Sequence, residues 1–218
     1  MEYWGKPVPG LGDPAAELLV LGLAPGAHGS NRTGRMFTGD RSGEFLYRAL
    51  YEAGFANQPE AVSPEDGLRL RGCYITAVVR CAPPQNKPQP NELRNCQPFL
   101  EKELDLLRRL RAVLALGRIA FDAYLRLVSQ RGIRLQPGAG QPGHHPDGQQ
   151  LADCEVFPPR SSFHFAHGAN YQLPGSLPRL FASYHPSQQN TQTGRLTPKM
   201  FRQVLDDIRE FLAGRSRR

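Results

Sequence analysis

Three polar loops carry the residues whose types suit chemistry on a base or an anion. The first, GLAPGAHGSNRTGRMFTGD (Gly22–Asp40), gathers five glycines, two arginines, a histidine, a phenylalanine and a terminal aspartate. Glycines allow tight turns and bring backbone amides close to an anion or a base edge. Arg32 and Arg35 suit phosphates. Phe37, set in a polar stretch, suits base stacking; a structural loop with Phe37 facing the core is the other reading. The second loop, RCAPPQNKPQPNE (Arg80–Glu92), uses Pro83, Pro84 and Pro88 to stiffen the chain around Asn86 and Lys87. Asn86 offers both a donor and an acceptor, as reading an amide-like base edge requires; a rigid connector would look the same. The third, YHPSQQNTQTGR (Tyr184–Arg195), places His185 straight after an apolar run, with Pro186 restricting the backbone beyond it. An imidazole there can donate a hydrogen bond or a proton, or be structural. The run Ser187–Arg195 has no core-forming residue, so it is either hydrated or ligand-bound.

Other chemistries find less support. The first loop contains neither GxxxxGK[ST] nor GxGxxG, which excludes the usual nucleotide-binding loops. The histidines at 28, 144, 145, 164, 167 and 185 show no HExxH spacing, so a catalytic zinc is not expected. Cysteines stand at 73, 81, 96 and 154 with no CxxC pair, so spacing alone gives no complete metal site. The N-terminus, MEYWGKPVPG, lacks a signal-peptide pattern, which argues against a disulfide framework and for a cytoplasmic protein.

The elements that must hold these loops read as an alternation. Apolar runs at 17–22, 73–81, 111–117 and 179–185 predict strands. Helical spacing begins at Ser42-Gly43 (Phe45, Leu46, Ala49, Leu50) and runs again across 90–110, where Pro98 should kink or restart the helix. It recurs after Gly117 (Ala120, Phe121, Tyr124, Leu125) and from Thr197-Pro198 (Phe201, Val204, Leu205, Ile208, Leu212). Strands alternating with helices predict an α/β fold, a three-layer α/β/α sandwich with a mainly parallel sheet. Ligands in such folds sit beyond the carboxyl ends of the strands, where all three loops fall. Residues 133–162, rich in Gly, Pro, Gln and His, read as a surface insertion, and 214–218 as a mobile basic tail, on one domain spanning 1–218.

The 218 residues include 27 Lys+Arg against 20 Asp+Glu, a net charge of +7, and the pI is about 9.5. That balance favours a polyanionic partner, nucleic acid before membrane. No apolar run approaches the roughly 18 residues of a membrane span.

Taken together, GLAPGAHGSNRTGRxFTGD, VRCAPPxNKPxPxE and HPSQQNTQTGRLT resemble the family 5 uracil-DNA glycosylases, over nearly the whole chain from Tyr3-Trp4 onward except the insertion. The related family 4 enzymes differ in carrying an acidic residue at Leu23, a lysine at Asp40 and an asparagine at Ala77. The resemblance implies a DNA repair enzyme that flips uracil, with other deaminated or modified bases, out of DNA and hydrolyses the N-glycosidic bond. It implies catalytic roles for Asp40, which would position water or stabilise the cationic sugar, and for His185, which would donate to a uracil carbonyl. Gly22, Ala24, Gly26, Phe37 and Asn86 would bind the base, while Arg32, Arg35, Lys87, Ser187 and Arg195 would hold phosphates. Cys81 and Cys96 would be two of four ligands to a [4Fe–4S] cluster whose N-terminal cysteine pair this chain lacks. Uracil-containing DNA is the expected partner, and a monomer the expected state. A catalytically silent nucleic-acid-binding relative and a hydrolase of free nucleosides or nucleotides are the alternatives; Asp40 with His185 weighs against the first, and the charge of +7 against the second.

Overall fold

A computed structural model describes residues 3–134 and 157–214. Most of the expected insertion, with His144, His145 and Cys154, and nearly all of the basic tail lie outside the described residues.

Four short strands form the centre: β2 (Leu18–Gly22), β3 (Cys73–Ala77), β4 (Ala112–Leu116) and β6 (Arg179–Ser183), all mutually parallel. Their near-continuous apolar sequences suit strands covered on both faces. Two-residue strands β1 (Leu11–Gly12) and β5 (Asn170–Tyr171) pair antiparallel at the edges, giving the order β1-β3-β2-β4-β6-β5. The fold is α/β with a mixed, mainly parallel sheet.

Alternation along each strand divides the core. Leu18, Val20, Leu114 and Phe181 face one layer, built from α2 (Arg41–Glu52) and α6 (Pro198–Leu212). Leu19, Leu21, Val113 and Leu180 face the other, built from α3 (Pro90–Leu106) and α4 (Arg118–Arg134). On α6 the stripe Phe201, Val204, Leu205 and Ile208 is buried, each side chain contributing about 1.5–3 kcal/mol. Thr197 caps that helix and Pro198 occupies its first turn, as the sequence implies.

Pro98 does not restart its helix. α3 runs unbroken from Pro90 to Leu106, with Pro98 on the exposed side, where solvent can satisfy the carbonyl its missing N–H leaves unpaired. The expected strand at 73–81 ends at Ala77. Beyond it the amides of Val78 and Val79 donate to the carbonyls of Gly22 and Leu23, each at 3.0 Å. That pairing draws the first two polar loops together. At the far end of the expected insertion, Phe157 already packs with Phe163, ring centroids 5.8 Å apart, against the α3/α4 layer. No helix among the described residues is long and apolar enough to cross a membrane.

A candidate active site at the carboxyl ends of the strands

The three loops close around one cavity of about 520 Å³, lined by Ala24, Gly26, Phe37, Asp40, Asn86, His185 and Ser187. Seven residues from three separate segments thus converge where an α/β sheet places its ligands.

The first loop is held from below. A short helix, α1 (Ser30–Thr33), crosses it, and the buried Ser30 Oγ accepts from the Phe37 amide at 2.8 Å. Tyr47 on α2 donates its hydroxyl to the Met36 carbonyl at 2.8 Å. These bonds keep Phe37 at φ +53°, a left-handed backbone that a bulky residue adopts only under tertiary constraint. Its ring lies over Gly22, where a Cβ would stand 2.9 Å from Cζ, so Gly22 supports the ring from beneath. Both readings of Phe37 hold at once: the side chain is 7% exposed, yet it forms a wall of the cavity.

Asp40 is held by a hydrogen bond at one oxygen and packed closely at the other. It is the N-cap of α2, Oδ1 accepting from the Gly43 amide at 2.9 Å. Oδ2 faces the backbone of Gly26 and Gly29, where a Cβ on Gly26 would lie 2.9 Å away and one on Gly29 would overlap it.

His185 stands two residues past β6, its backbone carbonyl accepting from Asn190 Nδ2 at 2.8 Å. Its ring stacks on Phe37, centroids 6.0 Å apart and planes 29° apart. Burial lowers its pKa from 6.5 to about 4, so the imidazole is neutral at physiological pH. It can donate a hydrogen bond from N–H without bringing a positive charge.

Asn86 reaches the cavity from a single 3-10 turn at Pro84–Asn86, where Gln85 and Asn86 both have positive φ. Its amide donates to the Pro83 carbonyl at 3.1 Å. The rigid loop is therefore also a presenting loop.

The phosphate set divides. Arg35 is a correction: it is 9% exposed, and its guanidinium forks onto Asp66, Nη1–Oδ1 2.8 Å and Nη2–Oδ2 2.6 Å, with Nε donating to Thr38 Oγ1. Its guanidinium is buried and engaged with Asp66 and Thr38, not presented to a phosphate at the surface. Burial alone would raise the Asp66 carboxyl, but Arg35 and the amides of Leu68, Val62 and Ser63 together hold it well below the usual carboxylate range. Arg32 stays at the surface of the loop, Nε donating to the His28 carbonyl at 2.9 Å. Lys87 is exposed just past Asn86, and Arg195 lies over the Tyr184 ring at 4.6 Å; neither lines the cavity. Ser187 does line it while capping α5 (Gln188–Gln192) through Asn190 N. The cavity also takes in His28, Gly29, Arg41 and Ser42, none of which the sequence reading singled out. Their adjacency to Asp40, or their place in the glycine-rich loop, was the available signal.

Cys73 is buried in the core. Cys81 and Cys96 are free thiols near one another; burial, Cys96 and Glu92 all raise the Cys81 pKa. Among the described residues no three His, Cys, Asp or Glu side chains converge on a metal position. Cys81 and Cys96 supply at most two of the four thiolates of a [4Fe–4S] cluster, so the described residues do not by themselves fit one.

The cavity thus combines the Phe37 ring, the Asn86 side chain, the Asp40 carboxylate and a neutral imidazole. A family model for the uracil DNA glycosylase superfamily matches residues 9–209. The chain is 52% identical to a type-5 uracil-DNA glycosylase of Thermus thermophilus, over 97% of this chain and 83% of that protein. It is 48% identical to one of Mycobacterium bovis, over 94% of this chain and 65% of that protein. For one of Pyrobaculum aerophilum the identity is 42%, over 93% and 75%. A type-4 enzyme of the same archaeon is 32% identical over only 62% of this chain. On the family match and these identities, the chain belongs to the uracil DNA glycosylase superfamily.

Proposed function

We propose that this protein excises uracil from DNA, leaving an abasic site. The observation that carries the reading is the meeting of Phe37, Asp40, Asn86 and His185 in one cavity. The identity to type-5 uracil-DNA glycosylases supports it.

A base inside a duplex cannot reach such a slot, so it must be flipped out, at a cost of a few kcal/mol in unstacking. Phe37 then takes one face of the base, and the Asn86 amide bonds its polar edge. The C1′–N1 bond breaks with its electron pair leaving on the uracil, where charge spreads onto the carbonyl oxygens. The neutral His185 donates a hydrogen bond to one of those oxygens, an interaction that strengthens as charge develops and so lowers the barrier. Water adds to C1′ and gives its proton to the Asp40 carboxylate, which also stabilises the cationic sugar on the way. Because the Gly43 amide holds Asp40 Oδ1 and Oδ2 packs against Gly29, little reorganisation accompanies the step. Arg32, Lys87 and Arg195 hold phosphates at the rim, fixing register without reading sequence. Damaged bases of similar shape are candidate substrates, and a DNA substrate fits the cytoplasmic placement expected from the sequence.

The test is incubation with a duplex containing one uracil, followed by alkali. Strand cleavage at that position supports the reading; an intact duplex after treatment with folded protein overturns it.

A further inference from the structure

The N-terminal arm, Tyr3–Lys6, takes no part in bond cleavage, yet it is docked onto the loop that carries Phe37 and Asp40. The Trp4 amide donates to the Asn31 carbonyl at 3.1 Å, and the indole Nε1 to the Pro7 carbonyl at 3.4 Å. The indole lies on Gly34, whose φ of +76° excludes most side chains and where a Cβ would stand 2.6 Å from the ring. Tyr3 Oη hydrogen-bonds His28 Nδ1 at 2.9 Å, and His28 lines the cavity. The arm is thus continuous with the mouth of the site.

What this segment shows to solvent is aromatic and cationic. Tyr3 is 40% and Trp4 43% exposed, and the Lys6 ammonium lies 5.8 Å from the indole centroid. The contacts with Gly34 and His28 account for the buried part of each ring but not for the part left in water beside a cation. The exposed rings and the cation match what single-stranded nucleic acid recognition uses: π-faces for bases and a nearby charge for the backbone. Flipping one nucleotide leaves its neighbours with an unstacked face, so such a surface is in demand beside the cavity. The net charge of +7 is complementary to that partner.

We infer that Tyr3–Lys6 is a second DNA-contacting surface, in which Trp4 stacks on a base exposed next to the flipped nucleotide and Lys6 meets the adjoining phosphate. This rests on the DNA-glycosylase reading. Tyr3 ties the arm to His28, which lines the cavity, so the contact lies beside the flipped nucleotide.

The chain has a single tryptophan, so emission excited at 295 nm reports Trp4 alone. The probe is a dye-labelled duplex with an uncleavable 2′-fluoro-deoxyuridine, its binding followed separately by dye anisotropy. Quenched Trp4 emission and protection from acrylamide, saturating together with the anisotropy, are the expected result. Unchanged emission and acrylamide access while anisotropy shows binding would overturn the inference; no anisotropy change would instead count against the DNA-glycosylase reading itself. Trp4→Ala should weaken binding ~5- to 30-fold, in the range of one lost base stack, with the single-turnover rate at saturating enzyme within about twofold. Trp4→Phe, which keeps a stacking face, should restore most of that affinity. Equal affinity in wild type and Trp4→Ala contradicts the contact, whatever the variant's melting temperature.

Discussion

The carboxylate of Asp40 lies against the backbone of Gly29 so closely that any side chain at 29 would displace it. The carboxylate proposed to act on water is therefore positioned by the absence of a neighbour's Cβ as much as by its own hydrogen bond to Gly43. Gly29→Ala should move the carboxylate by a fraction of an ångström to an ångström. Excision should fall by about 10²-fold, since displacements of that size are costly in preorganised sites. Single-turnover rates measure it, and a rate equal to wild type would contradict the positioning.

Asp40 has two jobs that substitution can separate. As N-cap of α2 it contributes about 1 kcal/mol, so Asp40→Ala should lower the melting temperature by about 2–4 °C. Asn also caps, so Asp40→Asn should melt close to wild type. Both variants should lose at least ~100-fold in turnover while still binding DNA. Differential scanning fluorimetry beside excision assays checks the pair. An active Asp40→Asn would remove the carboxylate from the chemistry.

His185 should titrate far below an ordinary histidine, near pH 4. Its folded value is depressed, so between pH 6.5 and about 4 the unfolded chain binds a proton that the folded chain does not. Stability from this ring is full above 6.5 and is lost as pH falls toward 4. Nitrogen NMR of labelled histidine, assigned with His185→Gln, reads the midpoint directly. A midpoint near 6.5 would mean the ring is charged for part of its working range and would contradict a neutral donor.

Arg32 and Arg35, three residues apart, should behave oppositely. Arg35→Met breaks a buried fork and leaves Asp66 unpaired, about 3–5 kcal/mol, so melting should drop by on the order of 10 °C. Arg32→Ala should leave melting nearly unchanged, weaken DNA binding, and reduce the slope of log K against log salt by about one. Salt titrations and melting curves on both variants decide between the roles.

The division between what the residues announced and what they hid tracks sequence distance. β2 and β4 were legible because a strand buried on both faces must be apolar throughout. The two-residue edge strands β1 and β5 are too short to carry a pattern. The three loops were legible by residue type, and the alternation of elements places them at the carboxyl ends of the strands. Arg35 was misread because its partner, Asp66, lies 31 residues away and nothing local points to it. Phe37 carried two readings because local polarity cannot show that one ring can be both core and cavity wall. The closeness of Asp40 to Gly29 depends on how α1 folds the loop back, which composition alone does not encode.

The most direct test of uracil excision by this cavity is a single-turnover reaction on a duplex with one uracil, comparing wild type with Asp40→Asn and detecting the free base by mass spectrometry. The expected result is release of one uracil per duplex by wild type, and at least ~100-fold slower release by the variant at equal DNA binding. No free uracil from folded, DNA-bound wild type, or equal rates from the two proteins, would contradict it.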